Sequence, residues 1–495
     1  MSSSAWPWPS GPALRSLSPG VRARLAAAQA LWRVHQHQAY LNLALRAVRS
    51  RWQLTAEESA AATALAAGVL RWRMRLDWAL RCLSRRPLQE LDPPLLEILR
   101  LGAFEVGFAP STPAPVAVDL AVRAAATLHP GAAAFANGVL RSLVRRWGRV
   151  LPEPEQGPAD QRLAVAFSHP RWLVRRWLEH LGEGLTRRLL EANNQSVPVT
   201  VRVNLLRTTP GELQQRWRSE GLVAQPAPLW PQRLLVVQQA GRAVDQWPGF
   251  REGHFMPQSE AAAMPGRLLD PQAGQRVVDL AAAPGGKTTQ LAEQAEDGLQ
   301  LVAVDRHPGR ARLVQANARR LGLSCVRVVA ADAAAVPLPQ GWADAVLLDA
   351  PCSDLGTLAR RPEVRYRRTP EDLARLAQLQ RALLDSAVWL LRPGGRLVFS
   401  VCSLEPEETV EQVAWLLARW PALELEAAPP WWPQVEAWPW QGHGLWILPH
   451  LHRTDGFFVA SFRLSGRPVP AGFRPGGQNG ARVPGQRETD RPHPA

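Results

Sequence analysis

The chain nearly lacks lysine. Lys287 stands alone, and the rest of its 58 basic residues are arginine, so guanidinium fills almost every position that needs only positive charge. The exception lies in "DLAAAPGGKTTQ", residues 279 to 290, and calls for a role that suits a compact ammonium better than a planar fork. Cysteine is scarce as well. Cys82, Cys325, Cys352 and Cys402 lie far apart with no CxxC spacing, which argues against a disulfide scaffold or zinc site and fits a reducing cytoplasm. No bound metal is expected. No run of about 18 apolar residues occurs, and the opening "MSSSAWPWPSGPALRS" has no uninterrupted apolar core, so neither a membrane span nor a signal peptide is expected. There is no internal repeat.

What is present is length and positive charge. At 495 residues the chain can hold two or three domains, each with its own core, and its length demands no partner for stability. A monomer is expected. A net charge of +15, spread along the chain, suits a polyanion such as RNA or DNA better than a small neutral substrate.

Composition shifts divide the chain. Residues 1–16 and the Gly-, Pro- and Arg-rich tail 465–495 read as disordered. Residues 17–150 carry Ala, Leu and Arg at helical spacing, as in "PLLEILRLGAFEVGF", and predict an all-α domain. "LPEPEQGPAD", 151–160, reads as a linker. Residues 161–250 mix a helical "HPRWLVRRWLEHL" with "VPVTVRVNLL", "TPGELQQRWRSEG" and "RLLVV", predicting a small α+β module of βαβ type. From 251 to 464 short apolar runs alternate with helical segments: "QRVVDL", "QLVAVD", "CVRVVAAD", "DAVLLDA", "GRLVFSV" and "GFFVASFRL". That alternation predicts an α/β, Rossmann-like domain with a largely parallel, doubly wound sheet.

The stretch around Lys287 then reads as strand, glycine turn and helix. Such a unit presents backbone N–H groups and a helix N-terminus at the carboxyl edge of the sheet, where nucleotide-like ligands bind. It is not a P-loop, because the Gly required five positions before the Gly-Lys pair is Ala281. Asp305 ends the second strand where a carboxylate would hold a ribose diol, and Asp332 ends the third. An adenosyl ligand is the expectation, with strand-end capping as the plainer use of either acid. The fourth and fifth strands, "AVLLDAPCSDLGT" and "GGRLVFSVCSLEPEE", each end in a cysteine followed by serine. If these strands are parallel neighbours, Cys352 and Cys402 meet at the same edge, beside the ligand turn.

These motifs, together with "AVDRHPGRARLVQANARRLGL" and "HRTDGFF", resemble those of the Sun-type (NOL/NOP/Sun) RNA cytosine-5 methyltransferases, and the resemblance spans nearly all of 161–464. "TPAPVAVDLAV" with "FANGVLRSLVRR" is similar to the NusB-like helical RNA-binding domain that precedes the catalytic part in the bacterial 16S ribosomal RNA members. The resemblance implies a class I methyltransferase domain that uses S-adenosyl-L-methionine to methylate cytosine C5. It assigns Cys402 as the nucleophile at C6, Cys352 to product release, Asp349 to the N3/N4 edge of the base, and Lys287 to a place between cofactor and base. Ala281, Ala282, Ala283, Pro284, Gly285, Gly286 and Lys287 would line the cofactor turn, with Asp305 on the ribose, Asp332 near the adenine, and Asp349 completing the pocket.

Three positions depart from the family pattern. Ala281 replaces a cysteine without a catalytic role, Val401 stands where threonine commonly precedes the nucleophile, and Asp354 stands where glycine or alanine commonly follows "PCS". Beyond the site, "RRPEVRYRR" (360–368) is expected to clamp RNA phosphates with Tyr366 stacking on a base. "SHPRW", Arg202 and Asn204 are expected to touch RNA or the cofactor cleft. The Trp-rich "PPWWPQVEAWPW" has no legible function. Methylation of tRNA, or non-catalytic RNA binding in ribosome assembly, remain open beside ribosomal RNA methylation.

Overall fold

The computed structural model describes residues 8–109, 111–150, 157–239, 243–435 and 438–466. Alanine and leucine at three- and four-residue spacing drive the first part of the chain into helices Pro19–His37, Leu41–Trp52, Ala56–Leu83, Pro93–Phe108, Ala114–Leu128 and Ala132–Val150. Prolines in the first turn start several of them, and Thr55 with Glu58 forms a capping box on the longest. Their inner faces, among them Leu25, Leu31, Val69, Ile98 and Leu140, close one apolar core. A Cβ at Gly102 would lie 2.7 Å from Leu140, so glycine sets that close helix approach. Two arginines are buried within this domain, Arg24 on Glu105 (Nε to Oε2, 2.8 Å) and Arg100 on Asp77 (2.7 Å) and Glu97 (2.6 Å).

The termini and linker differ from expectation where they are described. Gly11–Arg15 forms a short helix with Leu14 buried, and Ala159–Ala166 is helical from within the expected linker. Residues 1–7, 151–156 and 467–495 lie outside the described residues. The helix Arg171–Asn193 and the one before it do not join the small sheet. Leu163, Leu173, Val174 and Trp177 pack into the same core as Val346, Leu397 and Phe399 of the large sheet.

The small sheet comprises β1 (Val199–Val203), β2 (Val223–Pro226), β3 (Leu234–Gln239) and β4 (Phe255–Pro257), in the order β2-β3-β1-β4 with every neighbour antiparallel. β1 and β2 run the same way on either side of β3, joined through helix Pro210–Arg218, which is a split form of the expected βαβ unit.

The large sheet is built from β5 (Arg276–Leu280), β6 (Gln300–Asp305), β7 (Val326–Ala330), β8 (Ala343–Asp349), β9 (Leu391–Val401), β10 (Leu423–Leu425), β11 (Leu445–Ile447) and β12 (Phe457–Leu464). Its order is β10-β12-β9-β8-β5-β6-β7, with β11 also on β12. The five strands from β7 to β9 are parallel and β12 is antiparallel to β9, so a doubly wound Rossmann-like sheet ends in an antiparallel edge. Strand order reverses at β5, between β6 and β8, which opens a crevice at the carboxyl edge there.

The middle of the "RRPEVRYRR" stretch joins the domains, which takes Arg365 and Tyr366 out of the expected RNA clamp. Arg365 is fully buried and donates to the carbonyls of Arg71 (3.1 Å), Ser168 (3.0 Å) and Asn193 (3.2 Å) and to Asn194 Oδ1 (3.0 Å). Burial lowers its pKa to about 10. The Tyr366 hydroxyl donates to the Ser168 carbonyl at 3.2 Å and its ring lies under Arg73, so it is not placed to stack on a base. The sequence pattern misled because a guanidinium can satisfy several buried carbonyls from one side chain.

Asp279 fixes the last turn of β5 to the helix that follows. It is buried, accepts from Thr288 Oγ1 at 2.5 Å, and its Oδ1 has no partner among the described residues. Burial pushes its pKa up to about 7; Thr288 and Lys287 oppose that, and the Asp349 and Asp305 carboxylates add to it. The fold therefore favours the protonated form, a contribution complete below the ordinary aspartate range near 4 and lost as pH rises through about 7. Accordingly, the melting temperature of Asp279→Asn should fall less between pH 5 and pH 8 than that of the parent; equal falls would refute the assignment. Arg365→Ala removes a donor shared among several buried carbonyls and should cost about 2–4 kcal/mol. Hydrogen exchange over 71–74 and 193–194 should rise with it, and unchanged exchange there would count against the interdomain role.

Candidate active site

The crevice begins at the turn after β5. Ala281 adopts φ 62°, and Gly285 adopts φ 99° as the helix Gly286–Gln294 starts. A Cβ at Gly285 would lie 3.0 Å from the Val314 backbone, so only glycine lets the turn pass this close to the neighbouring helix. Asp305, at the end of β6 and nearly buried, accepts from the backbone N–H of Ala283 (3.3 Å) and His307 (3.0 Å). It thereby holds Ala282, Ala283 and Pro284 beside β6. Asp332 is exposed at the same edge, where its Oδ1 caps the turn Ala333–Ala335 through the Ala334 N–H (3.0 Å).

The reactive side chains meet one strand further on. Parallel register places Asp349, the last residue of β8, opposite Ser400 of β9, and the Ser400 hydroxyl donates to Asp349 Oδ1 at 2.7 Å. Lys287, from the first turn of the helix after β5, donates to Asp349 Oδ2 at 2.7 Å and lies 5.1 Å from the centre of the Phe457 ring. Just past the strand ends, Cys352 and Cys402 stand with sulfurs 3.2 Å apart. All four residues expected to carry chemistry are thus brought together. The lysine charge, however, engages Asp349 and not a thiol.

Both thiols resist ionisation. The hydrogen bond shared with Cys352 holds the Cys402 thiol well above its ordinary range, and burial and the Cys352, Asp354 and Asp349 charges act the same way. For Cys352 the hydrogen bond to Cys402 pulls downward, but burial and the carboxylates of Asp354 and Glu408 outweigh it and raise the value.

The support beneath the thiols was not anticipated. Ser353 and Ser403, each next to a cysteine, stand with hydroxyls 3.2 Å apart. Glu408 accepts from the Ser353 N–H (2.8 Å), the Ser353 hydroxyl (2.5 Å) and Gln380 Nε2 (3.2 Å). Burial raises the Glu408 carboxyl above its ordinary range. The repeated Cys-Ser pair was the signal available in the sequence. Asp354, one of the departures from the family pattern, accepts from the Cys402 thiol at 3.0 Å.

Arg202, Asn204 and His169 take interior roles, not RNA contacts. Arg202 is fully buried, pairs with Glu293 (2.8 Å) and donates to the Gly286 carbonyl (2.6 Å), bracing the lysine helix from behind. Asn204 Nδ2 donates to the carbonyls of Gly253 and Leu321, both at 3.0 Å. His169 is buried against Trp177, and burial holds its pKa well below its ordinary value. The described part of the Trp-rich segment covers the large sheet, with Trp446 4.7 Å from Phe458 and Trp438 and Trp440 packed on Trp446.

Comparison with known proteins places this architecture. Residues 266–463 match the family described as 16S rRNA methyltransferase RsmB/F, residues 21–145 the NusB family, and residues 169–242 an RsmF/B-like ferredoxin-like domain. A probable ribosomal RNA small subunit methyltransferase B of Bacillus subtilis is 32% identical over 449 residues, covering 89% of this chain and 98% of its own. Ribosomal RNA small subunit methyltransferase B of Klebsiella pneumoniae is 32% identical over 449 residues, covering 89% and 97%. Among solved structures, a methyltransferase homologue from Pyrococcus horikoshii matches 62% of this chain and 100% of its own at 28% identity and a TM-score of 0.54. The chain belongs to the 16S rRNA methyltransferase RsmB/F family and is an S-adenosyl-L-methionine-dependent methyltransferase.

Proposed function

We propose that this enzyme methylates C5 of a cytidine in 16S ribosomal RNA through a covalent adduct between Cys402 and C6. The observation that carries the reading is the pairing of two thiols 3.2 Å apart with a Lys287–Asp349 pair at the mouth of the β5 turn. Cytosine C5 is a poor nucleophile, and thiol addition at C6 makes it an enamine that accepts a methyl cation equivalent. The turn fits the donor: Ala281 to Gly286 offers backbone that Gly285 keeps close to the sheet, and Asp305 stands at the end of the next strand. S-adenosyl-L-methionine supplies the electrophilic methyl group there.

The chain's own residues do the rest. Asp349, fixed by Ser400 and Lys287, faces the N3/N4 edge of the base, and the Lys287 ammonium is the proton source for N3 as charge builds on the ring. A base then takes the C5 proton, the C5–H electrons restore C5=C6 and the S–C6 bond breaks; Cys352, against the nucleophile, assists this release of the methylated base. The NusB-family domain, held to the catalytic domain through Arg365, supplies the wider RNA contact. The names of the relatives favour ribosomal RNA over tRNA.

Incubated with S-adenosyl-L-methionine and small-subunit ribosomal RNA, Cys352→Ala should accumulate an RNA adduct that survives denaturing electrophoresis. The Cys352→Ala/Cys402→Ala double variant should not. An adduct with tRNA alone would redirect the substrate, and an adduct retained by the double variant would refute the thiol assignment. Lys287→Arg should lower single-turnover methyl transfer at least ~100-fold while leaving the melting temperature within a few degrees of the parent. Parental methyl transfer by that variant would show that any cation suffices.

A further inference from the structure

Position 354 follows "PCS" with φ 62° and ψ 13°, a left-handed conformation in which glycine costs least and aspartate is among the few tolerated substitutes. Its carboxylate is turned onto the nucleophile, for Cys402 Sγ donates to Oδ1 at 3.0 Å. The sulfurs of Cys352 and Cys402 and a carboxylate oxygen of Asp354 all lie within 4.8 Å of one another. Two arginines fix Asp354 from the other side. Arg368 Nη2 is 3.4 Å from Oδ2 while its Nε donates to the Ser353 carbonyl at 2.7 Å, and Arg361 Nη1 is 3.9 Å from Oδ1. The remaining charged groups around the two thiols are Asp349, on the Lys287 side, and Glu408, beneath Cys352; Asp455 and Tyr40 stand beyond Arg361.

We infer that Asp354 is a further catalytic residue, the base that takes the thiol proton of Cys402 as its sulfur adds to cytosine C6. The inference rests on the covalent reading above. In the step, the S–H bond breaks and the proton passes to Asp354 Oδ1 while a sulfur lone pair forms the S–C6 bond. The C5=C6 pair shifts to C4–C5, and the C4=N3 pair takes up a proton at N3 from the Lys287–Asp349 pair. Asp354 afterwards returns its proton to water.

The need for a base follows from the state of the thiol. The neighbouring Cys352, burial and the surrounding carboxylates hold Cys402 above its ordinary range, so the free thiolate is disfavoured near neutral pH. Loss of the proton within the addition avoids populating that anion. Asp354 has two opposed effects: its charge disfavours a free thiolate, and its oxygen receives the proton once the S–C6 bond forms.

Asp354→Gly and Asp354→Asn separate the two effects, and both residues suit the left-handed backbone at 354. In full-length Cys352→Ala protein, the single-turnover rate of adduct formation with small-subunit ribosomal RNA would be measured from pH 6 to 10. With Asp354 present the rate is expected to be nearly flat above pH 6. Without it, the rate at pH 7.5 should fall at least 10-fold and climb with pH, closing the gap near pH 10. In the same variants, iodoacetamide should alkylate Cys402 faster than in the parent, since a repelling charge has gone; slower alkylation would mean that Asp354 only positions the thiol. Variants that form the adduct at the parental rate with the parental pH profile overturn this inference alone. A parent that forms no adduct overturns the covalent reading and this inference with it.

Discussion

The site depends on one constraint, the parallel register of β5, β8 and β9. Parallel strands joined by right-handed crossovers deliver all their carboxyl ends to a single edge, so residues far apart in sequence become neighbours without any contact between them having to be specified locally. Asp349 and Ser400 are register partners, which turns a carboxylate and a hydroxyl on separate strands into a hydrogen-bonded pair. Cys352 and Cys402 each lie a few residues beyond these partners, and their sulfurs meet for the same reason. A slip of one residue between β8 and β9 would turn their alternating side chains to the opposite face and separate the set.

Within that frame the charges are arranged by burial. Part of the positive charge that reads as an RNA footprint is mortar: Arg24, Arg100, Arg202 and Arg365 are all buried, the first three on carboxylates and the last on carbonyls. Arginine suits this use because it is weakly hydrated and can satisfy several acceptors at fixed angles. The net charge of +15 is therefore not a count of residues available to phosphate. Carboxylates dominate around the thiols, where Asp354, Asp349 and Glu408 all act against ionisation. That environment favours the protonated form of both sulfurs.

Strands, turn and thiols were legible because each is local in sequence. An apolar run of five to seven residues ending in Asp or Asp-Ala-Pro-Cys is a short-range signal, and β5 to β9 appeared where the pattern put them. The interior uses of Arg365, Tyr366, Arg202 and His169 were not legible, since a polar residue beside other polar residues reads as surface unless its buried partners are known. Those partners come from distant segments, residues 71, 168 and 193 in the case of Arg365. Glu408 was hidden for the same reason, although the twin Cys-Ser pairs it supports were in plain view. The helix from Arg171 falls within the ferredoxin-like match at 169–242, in keeping with the small module expected there, but the packing of its apolar face into the core of the large sheet was not legible from adjacency.

The lone lysine can be understood from its surroundings. Lys287 reaches Asp349 from the first turn of a helix whose backbone is braced by Arg202, and its ammonium lies over the Phe457 ring with little exposure to water. A guanidinium at that place would spread its charge over a plane and present Asp349 with a two-pronged fork. One of those oxygens is already taken by Ser400. A fork would also commit two N–H groups to Asp349, whereas an ammonium that gives one keeps further donors for a second acceptor. Guanidinium geometry accounts for the buried arginines; at 287 the surroundings take a compact cation with one donor on Asp349 and its charge over Phe457.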